Sequence, residues 1–585
     1  MIRKLLTLLC LILSSSPLAL MAQEPDQFER LAGSTTWHRL IHYKKAKFGG
    51  YKSDLDGPEF FFSPHGKTDP LAELHASAEA FGKDIQVGKL KQHPQCAFPE
   101  RYRFLKKELS LSVADVPCPK LDEFLARFHH PKSVSFVFSN AYPDNPASMF
   151  GHTFLRINAG DSGADSGKSG EKLDLLDQGV SYAANVGPDE NPLVFYWFGL
   201  TGGYPGAFTV VPYYVKVNEY SHAEARDLWE YDLDLNAEQT LRLLRHLWEI
   251  ETNSWFDYWF FDENCAYELL TLLEVARPDW NMSDRAGAWV IPGESVKVVT
   301  RTPGAVKSVK FRPSYRRTLL KRFDTLSSEQ REKFFDARKG KIKVSEISDV
   351  QTIDALSAYL TYQKQKNEGK IASEDKQLLT QALIRRSELG PENPARELAE
   401  SSSNGASYWN TRPDQGHDAT RLSLSSGIAG LASTPQAQSQ AHSGLYFQEL
   451  HWRSAYHDLL NNDEGFLRFS QIEFPNLTLR YYPKLSDLRV ERVGLLSVLS
   501  LFPLSSLEKK PSWGLDLAYQ SPKDYGCLTC HTLRGRAFVG AAGLPLSNRF
   551  MVYGLALANA EAGESLRKGW RVGPGAQLAA LANPI

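Results

Sequence analysis

Hydrophobic and polar positions change rhythm several times along the chain, and each change marks a part. Residues 1–22 begin with Arg3 and Lys4, continue as an apolar run from Leu5 to Leu20 broken at Ser14–Pro17, and reach a small residue at Ala22. That is the pattern of a secretory signal peptide cut after Ala22. Cys10 lies inside the run, too early to become a lipidated N-terminal cysteine, and leaves with the signal. From Gln23 to His130 the spacing is mainly helical, as over Asp26–Tyr43 and Pro70–Phe81, around a turn-rich insertion at Gly49–Gly66.

The rhythm then shortens to two. Ser133–Ser139 reads SVSFVFS, a strand by its alternation and its β-branched and aromatic content. After the polar loop NAYPDNPAS, a second strand is predicted over Met149–Asn158, MFGHTFLRIN. There His152, Phe154 and Arg156 share one face, and Thr153, Leu155 and Ile157 the other. A loop rich in Gly, Ser and Asp, Ala159–Lys172, leads to a third strand, Gly179–Asn185, which carries Ser181, Tyr182 and Asn185. The aromatic stretch Phe195–Tyr214 contains LTGGYPG at Leu200–Gly206. No Lys follows it as a phosphate-binding loop requires, so a tight turn between strands is expected. A helix over Ala237–Glu251 precedes FFDENCAYELLTLLE, Phe260–Glu274. Asp262 is the predicted helix N-cap, and Leu269, Leu270 and Leu273 recur at helical spacing, which puts Cys265 in the first turn.

Arg301–Gly405 is charged and helical, as over Tyr315–Lys341 and Asp354–Lys366, and Ser401–Gln415 reads as a linker. Beyond His417 come strands of about ten residues: Thr420–Gly430, Gly444–Tyr456, Phe466–Tyr482, Leu488–Phe502, Ser512–Gln520, Arg536–Gly543 and Phe550–Ala560. In WGLDLAY, Trp513, Leu515, Leu517 and Tyr519 occupy one face and Gly514, Asp516 and Ala518 the other. With the apolar face outward this is a transmembrane β-barrel strand. A soluble sandwich with the apolar face inward gives the same alternation. Export and strand length favour the barrel. The chain stops at NPI without a terminal aromatic strand, as expected of an incomplete barrel.

The near balance of 67 Lys+Arg against 68 Asp+Glu gives no electrostatic case for nucleic acid. No stretch after the signal supplies the 18 or so apolar residues of a membrane-spanning helix. Five cysteines remain in the mature chain. In an oxidising compartment Cys96 and Cys118 are near enough to pair, a closure worth about 3 kcal/mol if unstrained. Cys527 and Cys530, in CLTCH with His531, have the spacing of a c-type haem attachment, but a loop between strands favours a disulfide. Cys265 is then a thiol without a partner.

That thiol has the setting of a nucleophile. Helix N-terminal N–H groups stabilise S⁻ and can receive an oxyanion. A thiol catalyst also needs a His on an adjoining strand to take the proton and a polar group to orient the imidazole. His152 can be the base, and Asn185 or Ser181 the orienting group; Asn264 can shape the turn or the oxyanion site, or simply cap the helix. The order of Gly151-His152 before Asn264-Cys265 resembles the circularly permuted branch of the papain-like NlpC/P60 superfamily. The segments SMFGHTFLRI, GGYPGAF, EYSHAEARDLWEYDL and DENCAYELL, over about Ser133–Pro278, with QCAFPERYRFL beside them, are similar to the N-terminal periplasmic domain of the Lnb-type lipoprotein N-acyltransferase family, also known as DUF4105.

The resemblance implies an α+β fold. It makes 131–300 a permuted papain-like domain, while the periodicities set a helical region at 23–130 before it and one at 301–405 after it, and the alternation beyond them sets a C-terminal antiparallel β domain at 406–585 of the outer-membrane barrel type. The resemblance also implies a cell-envelope acyltransferase or amide/ester hydrolase working through a Cys265 thioester; together with the aromatic stretches it suggests lipid or lipoprotein substrates, no cofactor or metal is expected, and the β domain read from the strand pattern would anchor the chain in the outer membrane. The alternatives are a cell-wall peptidase of the wider superfamily, and a non-enzymatic barrel with a periplasmic scaffold.

Overall fold

A computed structural model describes residues 26–141, 150–160, 176–187, 190–287, 290–367, 369–390, 412–429, 445–522, 530–547 and 550–582. The expected signal peptide, most of the loops before and after the His152 strand, most of the 401–415 linker, and Cys527 lie outside them.

The first region is helical, as its spacing predicts. Helices α1 (Gln27–Ala32) and α2 (Thr35–Ile41) stand where one longer helix is predicted. The break falls at Gly33–Ser34, and Ser34 Oγ caps the second helix by accepting from the Trp37 N–H at 3.2 Å. A small hairpin, β1 (Tyr43–Lys45) and β2 (Tyr51–Ser53), leads to α3 (Pro70–Ala80), α4 (Pro94–Ala97), α5 (Pro99–Glu108) and α6 (Pro119–Ala126). Cys96 and Cys118 form a disulfide, with Cα atoms 5.2 Å apart.

The second region is built on a sheet of β3 (Ser133–Ser139), β4 (His152–Asn158), β5 (Gln178–Ala184), β6 (Tyr204–Pro212), β7 (Leu228–Leu233), β8 (Phe256–Tyr258) and β9 (Val306–Arg312). Their spatial order is β8-β6-β5-β4-β3-β7-β9, antiparallel throughout. Between the strands run α7 (Pro192–Thr201), α8 (Tyr213–Val217) with a π-helical turn at Asn218–Ala223, α9 (Ala237–Asn253), α10 (Cys265–Ala276), α11 (Met282–Arg285) and α12 (Pro292–Arg301). Two expectations change here. LTGGYPG joins a helix to a strand, not two strands, because the aromatic run before it coils into α7. The sheet also extends past residue 300, since β9 pairs with β7 at its edge.

The two faces of this sheet are covered differently. Leu155, Ile157, Val180 and Tyr182 pack with Leu269, Leu270 and Leu273 of α10 and with α9 in the main core. On the opposite face Phe154 packs with Tyr213, Tyr220 and Leu228, beneath α8 and the π turn.

Four helices follow: α13 (Tyr315–Asp324), α14 (Ser328–Arg338), α15 (Val350–Lys366) and α16 (Ser373–Glu388). The single helix predicted over Tyr315–Lys341 is split because Ser327 starts a new one, its side chain and that of Gln330 forming a capping box.

The C-terminal region is an antiparallel sheet of ten strands: β10 (Arg421–Ala429), β11 (Leu445–Arg453), β12 (Tyr456–His457), β13 (Ser470–Glu473), β14 (Asn476–Tyr482), β15 (Asp487–Ser500), β16 (Ser512–Gln520), β17 (Thr532–Ser547), β18 (Phe550–Ala562) and β19 (Trp570–Ala582). Its main path runs β10-β11-β14-β15-β16-β17-β18-β19. Closure of a barrel requires the ladder of the first strand to meet that of the last. Among the described residues β10 and β19 are not paired, so the sheet is open. Its faces are nevertheless inverted relative to a soluble sandwich. Asp516 is 9% exposed and Ala518 is buried, while Leu515 is 47% exposed and Leu517 and Tyr519 are exposed beside it. Charged side chains pair on the sheltered face, as Arg492 does with Asp516 and Arg571 with Glu561.

The haem alternative fails at this sheet. Cys530 is disulfide-bonded, which removes a thiol that haem attachment needs. The His531 ring stacks on Tyr519 at 5.0 Å, and its Nε2–H donates to the Val490 carbonyl at 2.9 Å.

The C-terminal sheet abuts the loops that carry Cys265 and His152. Phe261 stacks on Phe474 at 4.3 Å between ring centres, and Phe150 meets both Phe261 and Tyr456 edge-on. Farther out, Arg316 grips Glu508 with two nitrogens, and the Tyr231 hydroxyl donates to Asp414 at 2.9 Å.

Candidate active site

Cys265 is the first residue of α10, is buried, and is the free cysteine among the described residues. The helix starts there because of Asn264, not Asp262 as predicted. Asn264 is extended, and its Oδ1 accepts from the N–H groups of Ala266 at 2.9 Å and Tyr267 at 3.2 Å. Its Nδ2 donates to the carbonyls of Phe260, at 2.8 Å, and Val290. Its side chain thus both caps the helix and holds the turn that leads into it. The Cys265 N–H is left without an acceptor in the helix, as the first N–H of any helix is.

Sγ lies at the edge of β4. Pairing between β4 and β5 covers only Leu155–Ile157 against Gln178–Val180, so the first residues of β4 are open on that side. The N-terminus of α10 fills the gap. Thr153 Oγ1 approaches Sγ at 3.9 Å, and the Thr153 backbone N–H also donates to it. Burial nevertheless wins. It pushes the Cys265 thiol above its ordinary 9.0, against the downward pull of the Thr153 donors, the Ala266 N–H and the charge of Arg226. The resting group is a thiol, whereas the helix-dipole argument alone predicts a thiolate.

His152 opens β4 and is opposite Ser139. Gly151 before it has φ +91°, and a Cβ there would sit 2.7 Å from the Phe138 ring, so only glycine delivers the chain into the strand at this point. The imidazole lies on the face of Phe154, with its ring 5.5 Å from that of Tyr220. Burial, then Arg226 and Lys216, lowers its pKa to about 3, so the ring is neutral at any ordinary pH. Among the described residues the side-chain hydrogen bond at Sγ is from Thr153, and none joins Sγ to His152.

Ser181 and Asn185, the two candidates for the orienting group, part company. Continuing the register one step beyond the Leu155–Val180 pair sets Ser181 across from Phe154, on the face that His152 occupies. Its buried Oγ has no hydrogen-bond partner. Asn185 lies just past the end of β5, where its N–H donates to the Pro205 carbonyl at 2.9 Å. It lines an open cavity of about 210 Å³ with Lys89, Tyr182, Phe208, Glu251 and Trp255, to which neither Cys265 nor His152 contributes.

Three residues not singled out in the sequence complete the surroundings. Arg226 is buried, donates to the carbonyls of Asn140 at 2.6 Å and Ser139 at 3.0 Å, and pairs with Glu224 at 2.7 Å. It is thus a fixed cation felt by both His152 and Cys265. Tyr258, on β8, is held un-ionised by burial and by the nearness of the Cys265 sulfur. Thr153 could have been suspected as the neighbour of His152, and Arg226 as the lone basic residue in the EARDLWEYDL run; only the fold shows what they face.

Residues 120–302 match the family model of the Lnb N-terminal periplasmic domain. This segment belongs to that family. The Lnb N-terminal periplasmic domain therefore includes β3 through α12, with both Cys265 and His152, and its family description points to an exported, periplasmic protein. Residues 29–108 and 410–585 match two domains of unknown function, DUF7843 and DUF7840. The second spans the whole described C-terminal sheet. No curated protein and no solved structure matches the chain. No helix among the described residues is long and apolar enough to cross a membrane.

Proposed function

We propose that the chain is a cysteine-dependent acyltransferase or amide/ester hydrolase of the cell envelope, acting on lipid or lipoprotein through an acyl thioester at Cys265. The observation that carries this reading is the free thiol at the first position of α10, with the Thr153 donors on its sulfur and a neutral His152 at the start of the same strand. A neutral imidazole has a lone pair free to take a proton, and bound substrate must lift its basicity from the resting pKa of about 3 for it to act on a thiol held above 9.0. As His152 removes the thiol proton, Sγ attacks the acyl carbonyl and the tetrahedral oxyanion meets the free Cys265 N–H. Collapse breaks the bond to the leaving alcohol or amine, which takes the proton from His152. An incoming amine or water then repeats the sequence and frees the thiol. Catalytic contacts commonly tighten only with substrate bound, so the lack of a resting bond between His152 and Sγ is compatible with the role.

The order of a His strand before a Cys helix supports a permuted papain-like, NlpC/P60-type arrangement. The inverted faces of the C-terminal sheet support its being the wall of an outer-membrane barrel that tethers the enzyme. The test replaces Cys265 with Ser and His152 with Ala. Mass spectrometry then searches for an acylated Cys265 peptide and for acyl transfer to lipoprotein in cells that depend on this chain. Acyl transfer that persists in the Cys265→Ser variant overturns the mechanism. Release of peptides from purified peptidoglycan by the wild-type chain would make it a peptidase instead.

A further inference from the structure

Residues 191–215 contain no charged side chain. They hold α7, which is apolar on its buried side and on the side turned to solvent alike. Val194, Trp197 and Phe198, at the spacing of one helical face, are all exposed, Trp197 at 66%. Leu200 is exposed beside them, and so is Trp259, against which the Gly202 turn rests.

The buried side of α7 lies flat on the segment leading to the nucleophile. Gly199 is in contact with the Phe260 ring, where a Cβ would come within 2.4 Å. Phe195 meets the same ring edge-on at 5.3 Å, and the Phe260 N–H donates to the Gly199 carbonyl at 2.8 Å. The Phe260 carbonyl in turn accepts from Asn264, the residue that caps the Cys265 helix. A short unbroken chain of contacts thus runs from the exposed aromatic face to the sulfur.

We propose that α7 and Trp259 form an interfacial membrane anchor, lying in the headgroup and acyl boundary of a phospholipid leaflet and holding the mouth of the Cys265 site against it. The size of the patch favours lipid over a protein partner. With about 150–250 Å² for a whole aromatic side chain and less for Val and Leu, the exposed fractions amount to roughly 400 Å². A stable protein interface takes about 800 Å² from each partner. A short uncharged helix end rich in Trp and Phe is instead the composition that settles at the membrane boundary, where the indole N–H stays hydrated. That Cys265 meets its acyl donor at this boundary rests on the acyl-transfer reading above; the membrane contact does not.

The experiment uses the full chain with Cys265→Ala, so that a single introduced thiol can be labelled, reconstituted in vesicles of phosphatidylethanolamine and phosphatidylglycerol. A polarity-sensitive fluorophore is attached at Trp197→Cys or, as a solvated control, at Glu374→Cys on α16, and spin-labelled lipids report depth. The label at 197 should shift to the blue and lie about 5–10 Å inside the boundary, while that at 374 remains open to aqueous iodide. A label at 197 that stays open to iodide in vesicles overturns the proposal. So does one shielded without lipid in step with self-association, which would make the face a contact between copies. Because the reporter chain carries no nucleophile, this measurement can succeed where the thioester is never found, and can fail where it is.

Discussion

If burial outweighs the helix terminus at Cys265, alkylation should show it. A thiol whose pKa lies above 9.0 is ionised to less than about 1% at pH 7. Each further pH unit then raises the thiolate tenfold. The rate of iodoacetamide attack on Cys265, followed by peptide mass spectrometry, should therefore climb with unit slope in log rate from pH 6 to pH 8 without levelling. The sign at His152 matters here. Its pKa is depressed to about 3, so it is neutral across that whole range and supplies no imidazolium to hold a thiolate. His152→Ala should leave the slope in place while abolishing turnover, and kcat/KM should show no acid limb near the ordinary histidine value of 6.5. Arg226→Gln removes the nearby cation that favours S⁻ and should displace the alkylation profile to higher pH. A plateau in alkylation below pH 8 that vanishes in His152→Ala would refute this reasoning, because it would mean a resting thiolate–imidazolium pair.

Asn264→Ala withdraws the cap from two N–H groups and strands the carbonyls of Phe260 and Val290, for a loss of about 1 kcal/mol for the cap and about 1–3 kcal/mol for the carbonyls. Asn264→Asp keeps the acceptor but sets a buried carboxylate oxygen against the same two carbonyls and should lose at least as much, as read from urea midpoints. Removing the Cys96–Cys118 bridge with a double Ser substitution should cost about 3 kcal/mol by the chain-entropy argument, and an unmoved urea midpoint would contradict it. Arg156 lies buried between Asp177 and Glu230, at 2.7 Å from each. Arg156→Met should destabilise by about 3–5 kcal/mol, and a thermal melt unchanged from wild type would show that the two carboxylates simply take up protons.

The helix at Cys265 and the strands at 133–139 and 152–158 are legible in the sequence because local periodicity and tertiary packing ask for the same pattern there. The Ser512–Gln520 strand is read with its bounds intact for the same reason. Alternation could not tell which of its faces is sheltered, because period two is symmetric between the two sides; burial of Asp516 and exposure of Leu515 decide it. The aromatic run at 192–201 misleads because a continuous apolar stretch suits a strand or a helix equally.

At the site itself, residue type and order alone put the Cys265 thiol at a helix start and the His152 imidazole at a strand start. The partners of those groups are long-range. Thr153 reaches Cys265 across 112 positions because β5 pairs with only part of β4. Arg226 acts on both groups because the π turn folds the chain back over the sheet. Asn185 turns to a different cavity because β5 ends one residue before it. Even the charge state of the thiol is a tertiary property. The helix start that favours S⁻ is written locally, whereas the desolvation that outweighs it comes from the packing of distant segments around Cys265.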